Sequence, residues 1–273
     1  MYSGIRLAAF AMAFSWAYAA TAANGIYSVE IDGNVATADV AIGSASATLT
    51  IEFENVVGLS AENLGLSAKV VDPLSLTSRL ASGVSLPAGL PLVVKISPPA
   101  SGGLSFSGVV SVELYTHDLQ FTVGSPLRLF SAPDGGTFTD ITTSVTSGSI
   151  RTGGSKPDFS EFIIAADVRP LASVIQSKYS KLASLLSQHA GTMGGQLSGE
   201  LSGLYSASQN AYTSGNLEAA IEYLEAFNDA VVAASGSEIP DVWRSSRDLT
   251  NVAGLLRAAS ATLRYSLTLA SNA

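Results

Sequence analysis

At Asp167-Val168-Arg169-Pro170 the hydrophobic period of the chain changes, and few other features restrict its fold as much. Upstream, apolar residues alternate with polar ones at every second position, as in strands with one face in a core and the other in water. Downstream they recur every three or four positions, the stripe of an amphipathic helix. Proline at 170 suits a first helical turn, where its missing N–H costs nothing. The expected fold class is therefore α+β, with an N-terminal antiparallel β-sandwich over residues 24–168 and a C-terminal four-helix bundle over residues 169–273.

The clearest strand is ATLTIEFEN, in which Ala47, Leu49, Ile51 and Phe53 alternate with Thr48, Thr50, Glu52 and Glu54. Before it, YSVEI and VATADVAI flank Asp32-Gly33-Asn34, and Asp-Gly supplies the positive φ values of a tight hairpin turn. LSAKVV and LPLVVKIS follow, the second stopped by Pro98-Pro99, which cannot continue a central ladder. LSFSGVVSVELYTH alternates from Val110 through Leu114. PLRLFSA, TFTDITTSV and FSEFIIAAD complete the β part, with a Pro133-Asp134-Gly135-Gly136 turn and a glycine-rich passage from Gly153 to Asp158 between them. The last strand, with Phe159, Phe162 and Ile164, is expected to close the core and to run almost without a linker into the helix at Pro170. A functional groove is expected along that junction.

Four helices are expected. Leu171, Val174, Ile175, Leu182, Leu185 and Leu186 mark the first, ending near Gly191, and Leu197, Leu201, Leu204, Tyr205 and Tyr212 mark the second. Gly191, Gly195, Gly199 and Gly203 fall at intervals of four, a spacing read as a flat face for close helix packing. The third is NLEAAIEYLEAFNDAVVAA, and the fourth is expected from Pro240 to about Leu269, with Trp243 as a bundle-capping or domain-contact residue and an Arg244–Asp248 pair in its first turns.

Met1 to about Ala22 combines Arg6, an apolar stretch from Leu7 to Ala20 and small-residue frames ending at Ala19 and Ala22, the pattern of a cleaved secretory signal peptide. The expected location is thus secreted or periplasmic, and after cleavage the chain is not expected to be an integral membrane protein. With a net charge of -8 and only 14 Lys and Arg, scattered, no nucleic-acid partner is expected. The acidity lies in the β part: residues 24–168 carry 14 acidic against 6 basic side chains, residues 169–273 carry 8 against 7. Cysteine is absent, and His117 and His189 fall in different halves. Neither metal nor cofactor is expected, since transition-metal sites draw on several His or Cys ligands. Asp134 and Asp140 stand near glycines but lack the D-x-D-x-D-G order of a calcium loop.

The order Leu127 to Phe130, APDGGTFTDIT, Gly148-Ser149 and FSEFII resembles an uncharacterised family of secreted bacterial proteins, as does IPDVWRSSRDLTNVAGLLRAASATLRYSL near the C-terminus. The closing F-S-x-F pattern is similar to the β-sandwich module shared by tight-junction scaffolds and netrin receptors. AYTSGNLEAAIEYL resembles the turn of a tetratricopeptide repeat, in a single copy. These likenesses imply a fold and supply no catalytic residue.

No nucleophile elbow, phosphate loop or metal-ligand cluster is present in the sequence. The expected function is a non-enzymatic binding or structural module for a protein or glycan, with no catalytic, cofactor or metal residue assigned. Two alternatives stand beside it. One is a glycan hydrolase using paired carboxylates such as Glu52 or Glu113 with Asp118 or Asp140. The other is a self-assembling envelope or extracellular protein, since only 13% of residues are charged against roughly 25% in soluble domains.

Overall fold

The computed structural model describes residues 25–122, 124–146 and 149–273; the expected signal peptide lies outside them. In chain order the strands are β1 (Ile26–Asp32), β2 (Val35–Ile42), β3 (Ala45–Val57), β4 (Leu66–Val70), β5 (Val84–Ser85), β6 (Leu92–Ile96) and β7 (Ser105–Gln120). They continue with β8 (Leu127–Ala132), β9 (Thr139–Asp140), β10 (Thr142–Thr146), β11 (Ser149–Lys156), β12 (Glu161–Asp167) and β13 (Val242–Arg244). The helices are the one-turn α1 (Ala61–Leu64), then α2 (Leu171–His189), α3 (Gly195–Thr213), α4 (Leu217–Ala234) and α5 (Val252–Ser271), with short 3₁₀ turns at Pro73–Arg79 and Ala190–Thr192.

Two antiparallel sheets result. The first runs β1-β2-β3-β7-β11-β10 with β13 also paired to β7, and the second runs β4-β6-β12-β8-β9 with β5 paired to β12. Their facing sides share one apolar core. Ala38 and Val40 of β2, Leu49, Ile51 and Phe53 of β3 and Val110, Val112 and Leu114 of β7 lie in one cluster with Leu92, Val94 and Ile96 of β6, Leu129 of β8 and Phe162 and Ile164 of β12. The arrangement is β-sandwich-like. On the other side of the second sheet, Val93, Phe130, Ala132, Ile163 and Ala165 pack under Leu76 of the first 3₁₀ turn and Phe138. Strand β12 is therefore covered on both faces, which is why FIIAA reads as a continuous apolar run.

The glycine-rich passage from Gly153 to Asp158, read as a connection between strands, is itself mostly strand, since β11 runs through Lys156. Gly154 of β11 approaches Ile141 so closely that a Cβ would sit 2.6 Å from the Ile141 carbonyl oxygen, so the residue that reads as a turn signal is there to let two backbones meet. TFTDITTSV, expected as one strand, is two: β9 pairs with β8 in the second sheet, and β10 pairs with β11 in the first. The chain changes sheets at Ile141, next to Asp140.

The four long helices share a core that includes Ile175, Tyr179, Leu182, Leu201, Leu224, Phe227, Val231, Leu256, Leu263 and Leu267. Helix α5 lies against β7, β10 and β11 and touches α2 and α4 on its other side. Among the described residues no helix is long and apolar enough to cross a membrane.

The fourth helix corrects the sequence expectation most. It starts at Val252, capped by Asn251, whose Oδ1 accepts from Gly254 N at 2.7 Å. The stretch after Pro240 instead returns to the first sheet as β13, pairing Val242, Trp243 and Arg244 with Ser107, Phe106 and Ser105. The cause lies in β7. Its partner β11 ends opposite Val110, leaving unpaired peptide groups below that point on one side, and buried peptide groups demand partners. Strand β13 supplies them and delivers the Trp243 ring, 7% exposed, into the inter-sheet core.

The glycine spacing is a second correction. A Cβ on Gly191, Gly195, Gly199 or Gly203 would meet nothing within 4 Å, so these glycines face open space rather than a neighbouring helix. The inward residues of α3 are Leu197, Leu201 and Ser208. Nothing in the structure explains the choice of glycine at these positions.

Candidate functional site

A pocket of about 350 Å³ opens where β13 and the segment leading into α5 meet the loops of the sheets. Four pieces of chain build it. The end of β6 brings Lys95 and Pro98, the β8–β9 turn brings Pro133 and Asp134, the β11–β12 connection brings Pro157, Asp158 and Phe159, and the returning segment brings Trp243, Arg247, Leu249 and Leu255. Each loop is held in place locally. Gly136 N donates to Pro133 O at 2.7 Å across the β8–β9 turn, Ile96 N donates to Ser160 O at 3.0 Å, and the Ser131 and Ser160 hydroxyls meet at 2.6 Å.

The floor is aromatic. Trp243 stacks on Phe106 with centroids 5.2 Å apart and meets Phe159 edge-on at 5.1 Å; Phe53 closes the group against Phe106 and Phe159. Pairs of this kind add about 0.5–1.5 kcal/mol each beyond area burial. The wall residue Asn251 is committed to structure, since it caps α5 and its Nδ2 donates to Gly108 O at 2.6 Å.

The charges around the opening are mostly matched by near neighbours. Lys95 Nζ lies 2.6 Å from Asp134 Oδ2, and its hydrogen bond and charge hold the Asp134 carboxyl below the usual carboxylate range. Asp158 Oδ1 lies 2.8 Å from Lys156 Nζ, a charge contact without hydrogen-bond alignment. Arg247 differs. Its guanidinium has no ion-pair or hydrogen-bond partner among the described residues, and with φ 59° it is the one non-glycine described residue in the left-handed region. Such a conformation costs on the order of 1–3 kcal/mol and persists only where the surroundings impose it. Here a turn does so, with Arg247 N donating to Arg244 O at 2.9 Å.

The junction expected to carry a groove, between the end of β12 and α2, is filled instead. Asp140, at the sheet change, pairs with Lys178 of α2 at 2.6 Å, their side chains 6% and 9% exposed. Lys178 Nζ also donates to Thr262 O at 3.0 Å, Thr262 Oγ1 at 2.7 Å and Ser266 Oγ at 2.8 Å on α5. Asp140 Oδ1 accepts from Thr142 N at 2.9 Å and Thr142 Oγ1 at 2.6 Å. Burial, the largest influence on Asp140, opposes its ionisation, but Lys178 and Thr142 together outweigh it and hold the carboxyl below its ordinary value. Beside this pair Asp167 grips Arg169 through both oxygens, at 2.8 and 2.6 Å, which raises the Arg169 pKa. The pocket lies at the opposite end of β12, by Phe159 and Ser160.

The carboxylates singled out from the sequence do not converge. Glu52 is exposed on β3, Glu54 accepts from Arg257 at 2.7 and 2.6 Å, Glu113 is 3.5 Å from Arg151, and Asp118 accepts from Ser46 N at 2.6 Å. His117 lies 2.8 Å from the Tyr115 hydroxyl, while His189 ends α2 in the other half. Arg244 and Asp248 do pair, at 3.4 Å, but across a turn after β13 rather than on a helix. Among the described residues no group of three or more His, Asp or Glu is placed to hold a metal ion.

Residues 10–271 match a family described as a family of unknown function, DUF6689. The chain belongs to this family. No curated protein matches it. Among solved structures it is similar to the CBM51-2 and INT domains of Clostridium perfringens ZmpB, at 11% identity and a TM-score of 0.17, over 76% of this chain and 54% of that one. The chain thus spans about half of that protein's length, and so distant a likeness carries no argument.

Sequence reasoning about this DUF6689 member missed Arg247, Leu249 and the three prolines as neighbours, because they come together only through the return of β13. Lys178 did leave a signal: it stands on the same helical stripe as Val174, Ile175 and Leu182, where a lysine needs a buried partner.

Proposed function

We propose that the protein is a secreted or periplasmic, non-enzymatic binding module that engages another protein or a glycan at the 350 Å³ pocket. In this reading residues 1–22 are a cleaved leader, the facing sheets are a β-sandwich, and the four long helices are a bundle that braces one side of it. The observation that carries the reading is the pocket's make-up. Pro98, Pro133, Pro157, Leu249 and Leu255 give a concave apolar surface over an aromatic floor, and polar and charged side chains, Lys95, Asp134, Asp158 and Arg247 among them, make up the other half of the lining. Ligand sites combine an apolar body with polar groups that fix orientation, and this pocket offers both.

Leu249 offers the test, being a large apolar side chain left 40% exposed at the rim. Leu249→Asp leaves the core untouched, so the variant is expected to fold as the parent does. In capture from envelope extract, the parent is expected to retain a partner that Leu249→Asp loses. Identical captured material from both overturns the reading.

A glycan hydrolase is the second reading, because Asp134 and Asp158 both line the pocket and glycoside hydrolysis requires two carboxylates. It predicts release of reducing sugar from polysaccharide by the parent and its loss in Asp134→Asn or Asp158→Asn. The binding reading predicts no release from any of the three.

A further inference from the structure

We propose that the pocket accepts a segment of another protein in which one carboxylate stands beside an apolar side chain, with Arg247 as the carboxylate's partner. The inference rests on the binding-module reading and narrows it to one class of ligand. Three observations carry it.

The first is charge. Around the opening, Lys95 is matched by Asp134 and Asp158 by Lys156, which leaves Arg247 as the cation with no counter-ion among the described residues. One unmatched guanidinium calls for one carboxylate, not for an acidic run. The chain's net charge of -8 would in any case repel an acidic run at long range. Guanidinium is also suited to a carboxylate by its two-pronged donor geometry.

The second is shape and polarity. The wall of three prolines with Leu249 and Leu255 fits an apolar side chain. Recognition of a sugar needs several uncommitted donors and acceptors, and here Asn251, Ser160 and Asp134 are already engaged, which leaves the Ser97 and Thr250 hydroxyls and Asp158 Oδ1 beside Arg247. The Trp243 ring, the one tryptophan in the wall, has a face covered by Phe106 and so offers little platform for stacking a sugar.

The third is the backbone. Arg247 holds a left-handed conformation that glycine would adopt without strain, and yet the position carries the longest cationic side chain available. A position that pays backbone strain to present a guanidinium at a pocket rim is one where the guanidinium has a use.

The test uses the mature chain and fluorescent hexapeptides containing Leu-Glu, Phe-Glu or Ile-Asp, each beside its amide isostere with Gln or Asn. Anisotropy is expected to show at least about tenfold tighter binding of the acid than of the amide, a factor worth about 1.4 kcal/mol. Arg247→Gly is expected to abolish that preference while leaving the melting temperature equal or higher, because the strain is relieved. Arg244→Gln, which removes an exposed arginine paired outside the pocket, is expected to keep the preference. Equal binding of acid and amide, or a preference that survives Arg247→Gly, overturns the inference. If oligosaccharides bind instead and Leu249→Asp abolishes their binding, the inference falls and the binding module stands. If neither probe binds, or binding ignores Leu249→Asp, both fall.

Discussion

Replacing Lys178 by methionine tests how the helices are fastened to the sheets. Methionine keeps the stem of the side chain and removes the ammonium that holds Asp140 at 2.6 Å and donates to Thr262 and Ser266. Asp140 keeps Thr142 as a donor but is left a buried carboxylate without a cation. Breaking a buried pair from one side costs about 3–5 kcal/mol, a large part of the 5–15 kcal/mol typical of a domain. The assay is urea unfolding of the chain lacking residues 1–22, in which Trp243 is the remaining tryptophan and reports from the inter-sheet core. Asp140→Asn/Lys178→Met should recover part of the loss, because it removes the orphaned charge. The sign with pH follows from the lowered Asp140 pKa. In the parent its contribution is present above the unfolded value of about 3.9 and is lost as pH falls through the folded value. In Lys178→Met the uncompensated carboxyl has its pKa raised, so acid relieves it. The gap between parent and variant should therefore narrow from pH 7 toward pH 4. A loss under about 1 kcal/mol against the 3–5 expected, or a gap that widens in acid, refutes the reasoning.

Four further outcomes are expected. Gly199→Ala and Gly203→Ala, whose new methyls meet open space on α3, should each stabilise by up to about 1 kcal/mol, read as a raised urea midpoint. Gly108→Ala should destabilise, since φ +79° disfavours a side chain and the methyl would displace the Glu54 carboxylate from Arg257; a lower melting temperature checks it. Trp243→Ala removes an aromatic side chain from a filled core and should cost about 3–5 kcal/mol, measured by urea unfolding followed by far-UV circular dichroism because the variant lacks the tryptophan reporter. Sedimentation across a concentration range should show no self-association, and a concentration-dependent rise in mass would favour the assembly alternative.

Much of the fold was legible where local signals agree with tertiary demand. The alternation of Leu49, Ile51 and Phe53 against Thr50 and Glu52 marks β3, and the Asp32-Gly33 turn marks its neighbouring hairpin, because one face of each strand is wet and the turn needs a positive φ. The helices around Leu182, Leu201 and Leu224 read correctly for the same reason. Elements fixed by distant partners did not read. Strand β11 carries Gly153-Gly154 because Ser144 and Ile141 press on it, and locally that pair is indistinguishable from a turn. Strand β13 exists because β7 has an open edge more than a hundred residues away in sequence, while its own residues continue a helical spacing. The candidate site inherits that blindness. Its lining comes from four separated stretches, and Pro98, Pro133, Asp134, Phe159 and Trp243 drew notice only singly, as strand, turn or domain-contact residues.

Photo-crosslinking from the pocket itself tests the central claim most directly. A photoreactive amino acid is placed at Leu249 on the pocket rim, and in a second chain at Leu74, which is 80% exposed and does not line the pocket. Both are produced in intact cells as the full chain and irradiated. The account predicts a discrete adduct of higher mass from position 249 and none from position 74. No adduct from 249, or the same adducts from both, contradicts it.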